Sequence, residues 1–451
     1  MITTLIFVTI FVVIAGGLLS LVNQQKKLSL QRKAQAQALQ IAEAGVNYYR
    51  WHLAHAIEDY ADGSGQTGCN PCGPYTHEYY DPSGGLIGYF ALTITPPSPT
   101  YPGSTIVKIK STGWTTDYPN TKRHVAVSFG LPSLARFTTV VHNNLSYGTG
   151  SETFGPVHSN GGVKFDGVAH NLISSALSRY WYDSAWRDGV WTSQSGESDI
   201  FLAGKSFPVP PIDFAGFTQN LNTMKTAAAS GYLIGPSGYQ GYHVQLLNDQ
   251  TFRYRTVATK TADCNNEPTG GIGSYNGDWT TRSIPENGLI FFQDNVWIDG
   301  QINDSRVTVV AAKEPLDTGT ADIFLNNDLL YTNKDGGDTI GLLAQRNVVI
   351  GLYSEDDLEI DAILIAKNGA RYRPDYGNVF ACGATVTRNE FTIYGTTISY
   401  LTPYMSSGSS GYQIRNYIYD ANTLYAPPPF FPTSGEYDFL RWEEILKDES
   451  Y

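Results

Sequence analysis

No charge interrupts the chain before Lys26. From Leu5 to Val22 the residues are almost wholly apolar, broken by Thr9, Gly16, Gly17 and Ser20. Eighteen such residues, wound as a helix, cross ~30 Å of hydrocarbon, where each backbone N–H and C=O must find its partner inside the segment. A cleaved secretory signal carries a shorter apolar core with basic residues ahead of it. This run is therefore expected to be a retained membrane span. The competing reading, a buried core helix, is disfavoured by its length and its place at the start of the sequence.

The helix is expected to run on past the membrane. Between Asn23 and Tyr60 there is no Pro and a single Gly, Gly45, among Gln, Ala, Leu and Lys, all strong helix formers. One helix of ~55 residues, ~80 Å long, follows at 1.5 Å per residue. Leu28, Leu39, Ile41, Ala42, Val46, Tyr49 and Leu53 make a loose apolar stripe at helical spacing. Lys26, Lys27, Arg32, Lys33 and Arg50 face one acid, Glu43, before Glu58. A basic band just beyond a span suits anionic lipid head groups or an acidic neighbouring subunit.

After Tyr60 the texture changes to Gly, Pro, Ser and Tyr. Charged residues are only 16% of the chain, against a usual ~25%, while Tyr alone numbers 30. Low charge with many turn formers points to an extracellular, β-rich body. Thirty basic against 42 acidic residues, a net charge of −12, exclude a body-wide nucleic-acid surface, which needs a basic face. Residues 61–133 read as a small β head: a turn-rich stretch from Asp62 to Gly85, then alternating runs at Tyr89–Ile94, Thr105–Lys110 and His124–Phe129. Period-two alternation marks half-buried strands.

Residues 134–425 carry short β-type runs entered or left by Asn, Asp or Gly, among them Leu289–Phe292, Val307–Val310, Ile340–Leu343 and Ile363–Ile365. Short strands with tight corners and no intervening helices predict a right-handed parallel β-helix, with an antiparallel sandwich as the alternative. Residues 177–230 read as an excursion from the coil, with a short helix over Phe217–Ala229. Residues 426–451 read as a Pro-rich strap followed by a helix, Phe439–Leu446, that caps one end of the solenoid. The predicted class is thus mainly β with one long N-terminal helix.

Candidate chemistry is sparse. Cys69 and Cys72 form a C-x2-C that lacks a second pair of zinc ligands, so a small-loop disulfide is expected; whether Cys264 joins Cys382 is not readable from spacing. Asp335 and Asp338, in a Gly-containing turn, and Asp356 and Asp357, in the densest acidic run, are weak candidates for a structural calcium, but the bidentate Glu of an EF-hand loop is missing. No other cofactor is expected. Hydrolysis of a polysaccharide would need two carboxylates ~5–10 Å apart, which Asp356 or Asp357 with Asp299 or Asp322 would have to supply. No Gly-x-Ser-x-Gly or His-Glu-x-x-His is present, and no catalytic residue is assigned. Tyr180, Trp181, Tyr182, Trp186 and Trp191 form an aromatic cluster which, if exposed, is a candidate binding surface for a surface or glycan ligand.

The uninterrupted apolar start, continuing into a half-exposed helix with the step Ala42-Glu43-Ala44-Gly45, resembles the N-terminal helix of type IV pilins, and most closely PilX-type minor pilins. The resemblance covers roughly the first 57 residues. It implies a subunit stored in the bilayer by its helix, body outside the cytoplasm, that later packs among other pilin helices and reaches the pilus or cell surface. Two departures stand out. Pilins are made with a short basic leader, and the sequence here opens at Met1. Most carry Glu at the fifth mature position, and this chain has Leu5. A carboxylate in lipid is costly unless paired, and a fibre's topmost subunit has no neighbour above whose amine needs one. The resemblance therefore implies a tip or priming subunit presenting an adhesive β module. A single-pass surface protein outside any pilus and a tethered polysaccharide-active enzyme are the alternatives.

Overall fold

The computed structural model describes residues 2–98, 102–214, 221–377, 379–383, 386–407, 410–433 and 435–446. They fall into two compact units. The first holds Met1–Ser98, Thr105–Leu131 and Gly435–Tyr451; the second holds Pro99–Ser104 and Pro132–Ser434.

In the first unit a single helix, α1 (Ile2–His55), runs 54 residues without a break. Four antiparallel strands follow: β1 (Cys72–Tyr80), β2 (Leu86–Thr95), β3 (Val107–Thr115) and β4 (Arg123–Gly130). A C-terminal strand, Asp438–Ile445, joins the sheet antiparallel to β4. Burial alternates along β3, with Val107 and Ile109 inward and Lys108 and Lys110 only partly covered. The inner face packs Phe90, Leu92, Ile94, Val125, Val127 and Phe129 against Ile41, Ala42, Val46, Tyr49 and Leu53 of α1. Small residues let the two backbones close up. A Cβ on Gly113 of β3 would lie 2.3 Å from the Ala38 carbonyl oxygen. One on Gly45 would lie 2.4 Å from Ser111 Oγ and 2.7 Å from the Phe90 ring. Beyond the helix the chain is pinned back: Asp59 accepts from Ala61 and Gly63 backbone N–H groups and pairs with His52 Nε2 at 3.0 Å, while Tyr49 donates to the Asp59 carbonyl.

Two expectations for this unit are corrected. The turn-rich stretch Asp62–Gly85 contains β1, because Tyr75, His77 and Tyr79 alternate with polar neighbours and β2 supplies the partner edge. The segment Phe439–Leu446, read as a helix capping the solenoid, is a strand of the first unit. Leu, Arg and Glu favour helix locally, but β4 offers an open edge whose N–H and C=O groups the segment satisfies, and tertiary context overrides the propensity.

The second unit is built on parallel ladders. The longest links ten strands in the order Tyr232–Ile234, Leu289–Phe292, Arg306–Ala311, Thr339–Ala344, Asp357–Ala366, Thr387–Ser399, Thr139–Val141, Val157–Ser159, Ile173–Ser175 and Lys205–Ser206. The chain thus enters mid-ladder at Thr139, climbs to Ser206, and restarts at the opposite end at Tyr232. A second ladder runs from Gly241–Leu246 through Val296–Ile302, Ile323–Leu325 and Val348–Ile350 to Arg371–Tyr372. One continuous core, including Val309, Leu342, Leu364, Ile323 and Val348, fills the space between ladders. Among the described residues, antiparallel ladders in this unit are confined to three places. These are Gly241–Leu246 with Thr251–Lys260 and Ile272–Ser283, the hairpin Arg179–Tyr182/Ala185–Asp188, and the short Ser406–Ser407/Ser410–Ile418 pair. That pattern is not an antiparallel sandwich.

Phe291, Val310, Leu343, Ile365, Ile398 and Val140 pair in register on successive rungs. Over this stripe lie Ile212, Phe214, Leu221, Met224 and Ala228, from the connection that carries the chain back down the ladder. Of the helix expected over Phe217–Ala229, Leu221–Ala227 is helical, and the part before it lies outside the described residues. The proline strap is held by a buried arginine: Arg306 donates to the carbonyls of Ala426 and Pro427, and Thr308 to that of Pro429. Proline offers carbonyls but no N–H, so donors have to come from the body.

Candidate assembly helix and surface sites

The two halves of α1 have different surroundings. Up to Lys33 its described side chains are almost all exposed, including Leu5, Phe7, Phe11, Val12 and Leu19; the first buried residue is Ala34. The segment is long and apolar enough to cross a membrane, and none of its most apolar window is buried in the protein. Lys26, Lys27, Arg32 and Lys33 are exposed at the end of that stretch and make no ion pair among the described residues. Glu43, half-buried in the packed half, makes none there either. Gly45, grouped with the assembly residues from sequence, is instead turned onto the chain's own sheet. Its missing Cβ is required by Ser111 and Phe90, so it is not presented to a neighbour.

The aromatic cluster is a hairpin. Trp181 and Trp186 are cross-strand partners, edge to face with centroids 5.7 Å apart, and each is 59% exposed. The connecting residues, Asp183 and Ser184, both have positive φ, the conformation of a tight two-residue hairpin turn. The other aromatics fix the hairpin to the body. Tyr180 is buried against Gly162, where a Cβ would fall 2.1 Å from its ring, and its hydroxyl accepts from Trp191 Nε1 at 2.8 Å. Arg187 lies over the Trp191 ring, and Tyr182 packs against that ring edge to face. The cluster therefore divides into two exposed tryptophans and three supporting rings.

Cys69 is bonded to Cys72, and Cys264 to Cys382. Of the acidic candidates, Asp338 is buried, its carboxylate accepting from the backbone N–H groups of Ser305, Thr332 and Asn333. Asp335 accepts from Gly337 N–H, Asp356 from Asn389 N–H and Asp357 from the Asn389 amide. The bonds to Gly337, Thr332 and Asn333 close a local turn, and those to Ser305 and Asn389 tie residues more than thirty positions apart. Among the described residues no three His, Cys, Asp or Glu side chains are gathered to share an ion. Asp322, a candidate partner for hydrolysis, is locked to Arg346 and accepts from Asn347 N–H.

Asp299, named above as a candidate carboxylate, sits in a polar cluster whose other members the sequence reading did not single out. Asp299 accepts from Gln245 Nε2 at 2.9 Å and lies 2.7 Å from His243 Nε2; His243 Nδ1 is 3.0 Å from the Tyr275 hydroxyl. Arg253 and Arg255 lie over the Trp279 ring beside them. A cavity of about 610 Å³ opens here, lined also by Trp297 and Tyr353. Glu355, nearby, is pushed up from the usual carboxylate range by burial and by the Asp328 and Asp299 charges. The signal was there: His243 and Gln245, Arg253 and Arg255 stand two apart on adjacent antiparallel strands, but their register is set by pairing that the sequence alone does not give.

The fold defines a mainly β protein with one long N-terminal helix. No family model matches the chain, and no curated protein matches it. Among solved structures it is similar to the competence-associated pilin ComZ from Thermus thermophilus, with 12% identity and a TM-score of 0.29 over 92% of this chain and 98% of that one. A superposition that loose does not establish a shared fold.

Proposed function

We propose that this chain is a PilX-type minor pilin of a type IV pilus, placed at or near the tip. The bilayer holds α1 before assembly, with the body outside the cytoplasm, and other pilins take its place afterwards. The parallel ladders wind as a right-handed β-helix that presents an adhesive surface. The exposed pair Trp181 and Trp186 is its contact for a surface or glycan ligand. What supports this most is the division of α1: its inner half seals the head's core, while its outer half is apolar, unbroken and exposed among the described residues. An apolar rod of that length has two natural environments, lipid and a bundle of similar rods.

The test is fractionation of cells that make pili. The chain is expected in the sheared fibre fraction together with the major subunit, and its deletion should lower fibre number. Recovery solely as bilayer-bound monomer would leave a surface protein outside any pilus. For the adhesive part, replacing Trp181 and Trp186 together by Ala should cut binding to the target surface by at least tenfold while fibre number is unchanged, since hot-spot tryptophans are worth ~2 kcal/mol or more each.

A further inference from the structure

The hydrogen bonds of the polar cluster around His243 all run toward one carboxylate. Arg253 donates through Nε to Gln245 Oε1 at 2.8 Å, and Gln245 in turn gives its amide to Asp299. From the other side His243 Nε2 meets the second oxygen of Asp299; a carboxylate only accepts, so that nitrogen carries the proton. In the neutral ring Nδ1 is then left to accept from the Tyr275 hydroxyl. Both chains of donors end on Asp299, which lines the cavity of about 610 Å³. Each of its oxygens takes one bond among the described residues, and a carboxylate has room for about four. Acceptor positions therefore remain on a group whose orientation is fixed from both sides.

The walls are aromatic. Trp297 is buried and its Nε1 donates to the Gly270 carbonyl at 2.7 Å, so it offers the cavity only its ring. Tyr275 and Tyr353 are 37% and 51% exposed, yet both rings are held. The Arg255 guanidinium lies 3.2 Å from the Tyr275 ring centre, and a Cβ on Gly271 would fall 2.8 Å from the Tyr353 ring. Rings already in place lose little freedom when a ligand covers them. Arg253 and Arg255, opposite Gln245 and His243 on the next strand, have no carboxylate within 4.0 Å among the described residues. The acid that lines the cavity thus has positive charge beside it already and does not call for a cation. What remains for a ligand is a set of acceptors and flat apolar faces. A pyranose has that complement: neighbouring hydroxyls that donate, and a face of C–H groups that packs on a ring. The volume lies within the ~300–1,000 Å³ usual for small-molecule sites, which join apolar walls to a few placed polar groups. We propose that this cavity binds one residue of a neutral saccharide, free or at the end of a longer glycan, with Asp299 accepting from its hydroxyls and Tyr275 and Tyr353 covering its C–H face. The site needs neither a pilus nor the Trp181–Trp186 hairpin.

The experiment uses the full chain in a polyoxyethylene detergent, whose head group contains no sugar. Immobilised neutral glycans built from hexoses and N-acetylhexosamines are screened, with sialylated and sulfated glycans alongside, and the strongest neutral binder is titrated by calorimetry. Its terminal monosaccharide and choline are titrated separately, as the single-residue and cationic probes. The expected result is saturable binding of a neutral saccharide at a site weakened at least tenfold in Asp299→Asn and at least fivefold in Tyr353→Ala. Binding should be unchanged in Tyr239→Ala, a similarly exposed ring outside the cavity. Both readings of the ligand support the site: tighter binding of the glycan than of its terminal sugar assigns it to a polymer end, equal binding to a single residue. Tyr353 makes none of the hydrogen bonds around His243, so its variant decides should Asp299→Asn fail to fold. Saturation by choline or by acidic glycans alone, neutral binding kept in full by both variants, or no saturable binding across the panel overturns the proposal.

Discussion

Gly45 and Asp361 show how much single side chains settle. At Gly45 the helix meets β3 and β2 so closely that any Cβ collides with Ser111 and the Phe90 ring. Gly45→Val is expected to cost about 1–3 kcal/mol or more through overpacking, read as a lower denaturant midpoint for the first unit. Asp361 is 1% exposed in the second unit; it accepts from Tyr331 N–H and pairs with Lys334 at 2.8 Å. Burial outweighs these partners and raises its carboxyl from 3.8 to about 6. The folded chain thus keeps a proton that the unfolded chain has released. The stability this adds is present in full below about pH 4 and is lost as pH rises through 6. In Asp361→Asn, which cannot ionise, that fall should disappear between pH 4 and 6. A slope equal to that of the unaltered chain would remove Asp361 as its source.

At the scale of elements, the sequence was most legible where periodicity was local. The helix showed in an apolar run and a Pro-free continuation, and β3 in the alternation of Val107, Lys108, Ile109 and Lys110. Legibility failed where a partner far along the chain decides the outcome. Residues 438–445 have a helical composition and become a strand because β4 presents an edge. Removing residues 436–446 should leave that edge bare, and the truncated chain is expected to self-associate in light scattering where the full chain does not. The outward stripe Phe291, Val310, Leu343, Ile365, Ile398 and Val140 looks like misplaced core until the return connection is laid over it. Leu343→Ala should cost about 2–5 kcal/mol and speed proteolysis within 221–231, because that part of the return connection loses what it packs on. The paired tryptophans were visible as a cluster, but which two face outward depended on the hairpin register and on Tyr180 finding Gly162. The His243–Asp299 network joins residues of separate strands; the two-residue spacing of His243 and Gln245 was visible, but the pairing that brings Asp299 against them was not.

For the whole molecule, the account turns on what surrounds the outer half of α1. Each unit has its own core, and among the described residues neither core includes that half. The direct measurement is site-specific photo-crosslinking in cells that make pili, with a benzophenone side chain placed in turn at Phe11, at Leu19 and at the packed Leu53. The account predicts adducts with pilin subunits from Phe11 and Leu19 in intact fibres, lipid adducts from the same positions when assembly is blocked, and only intrachain adducts from Leu53. Adducts with lipid alone from Phe11 and Leu19 in fully piliated cells would contradict it.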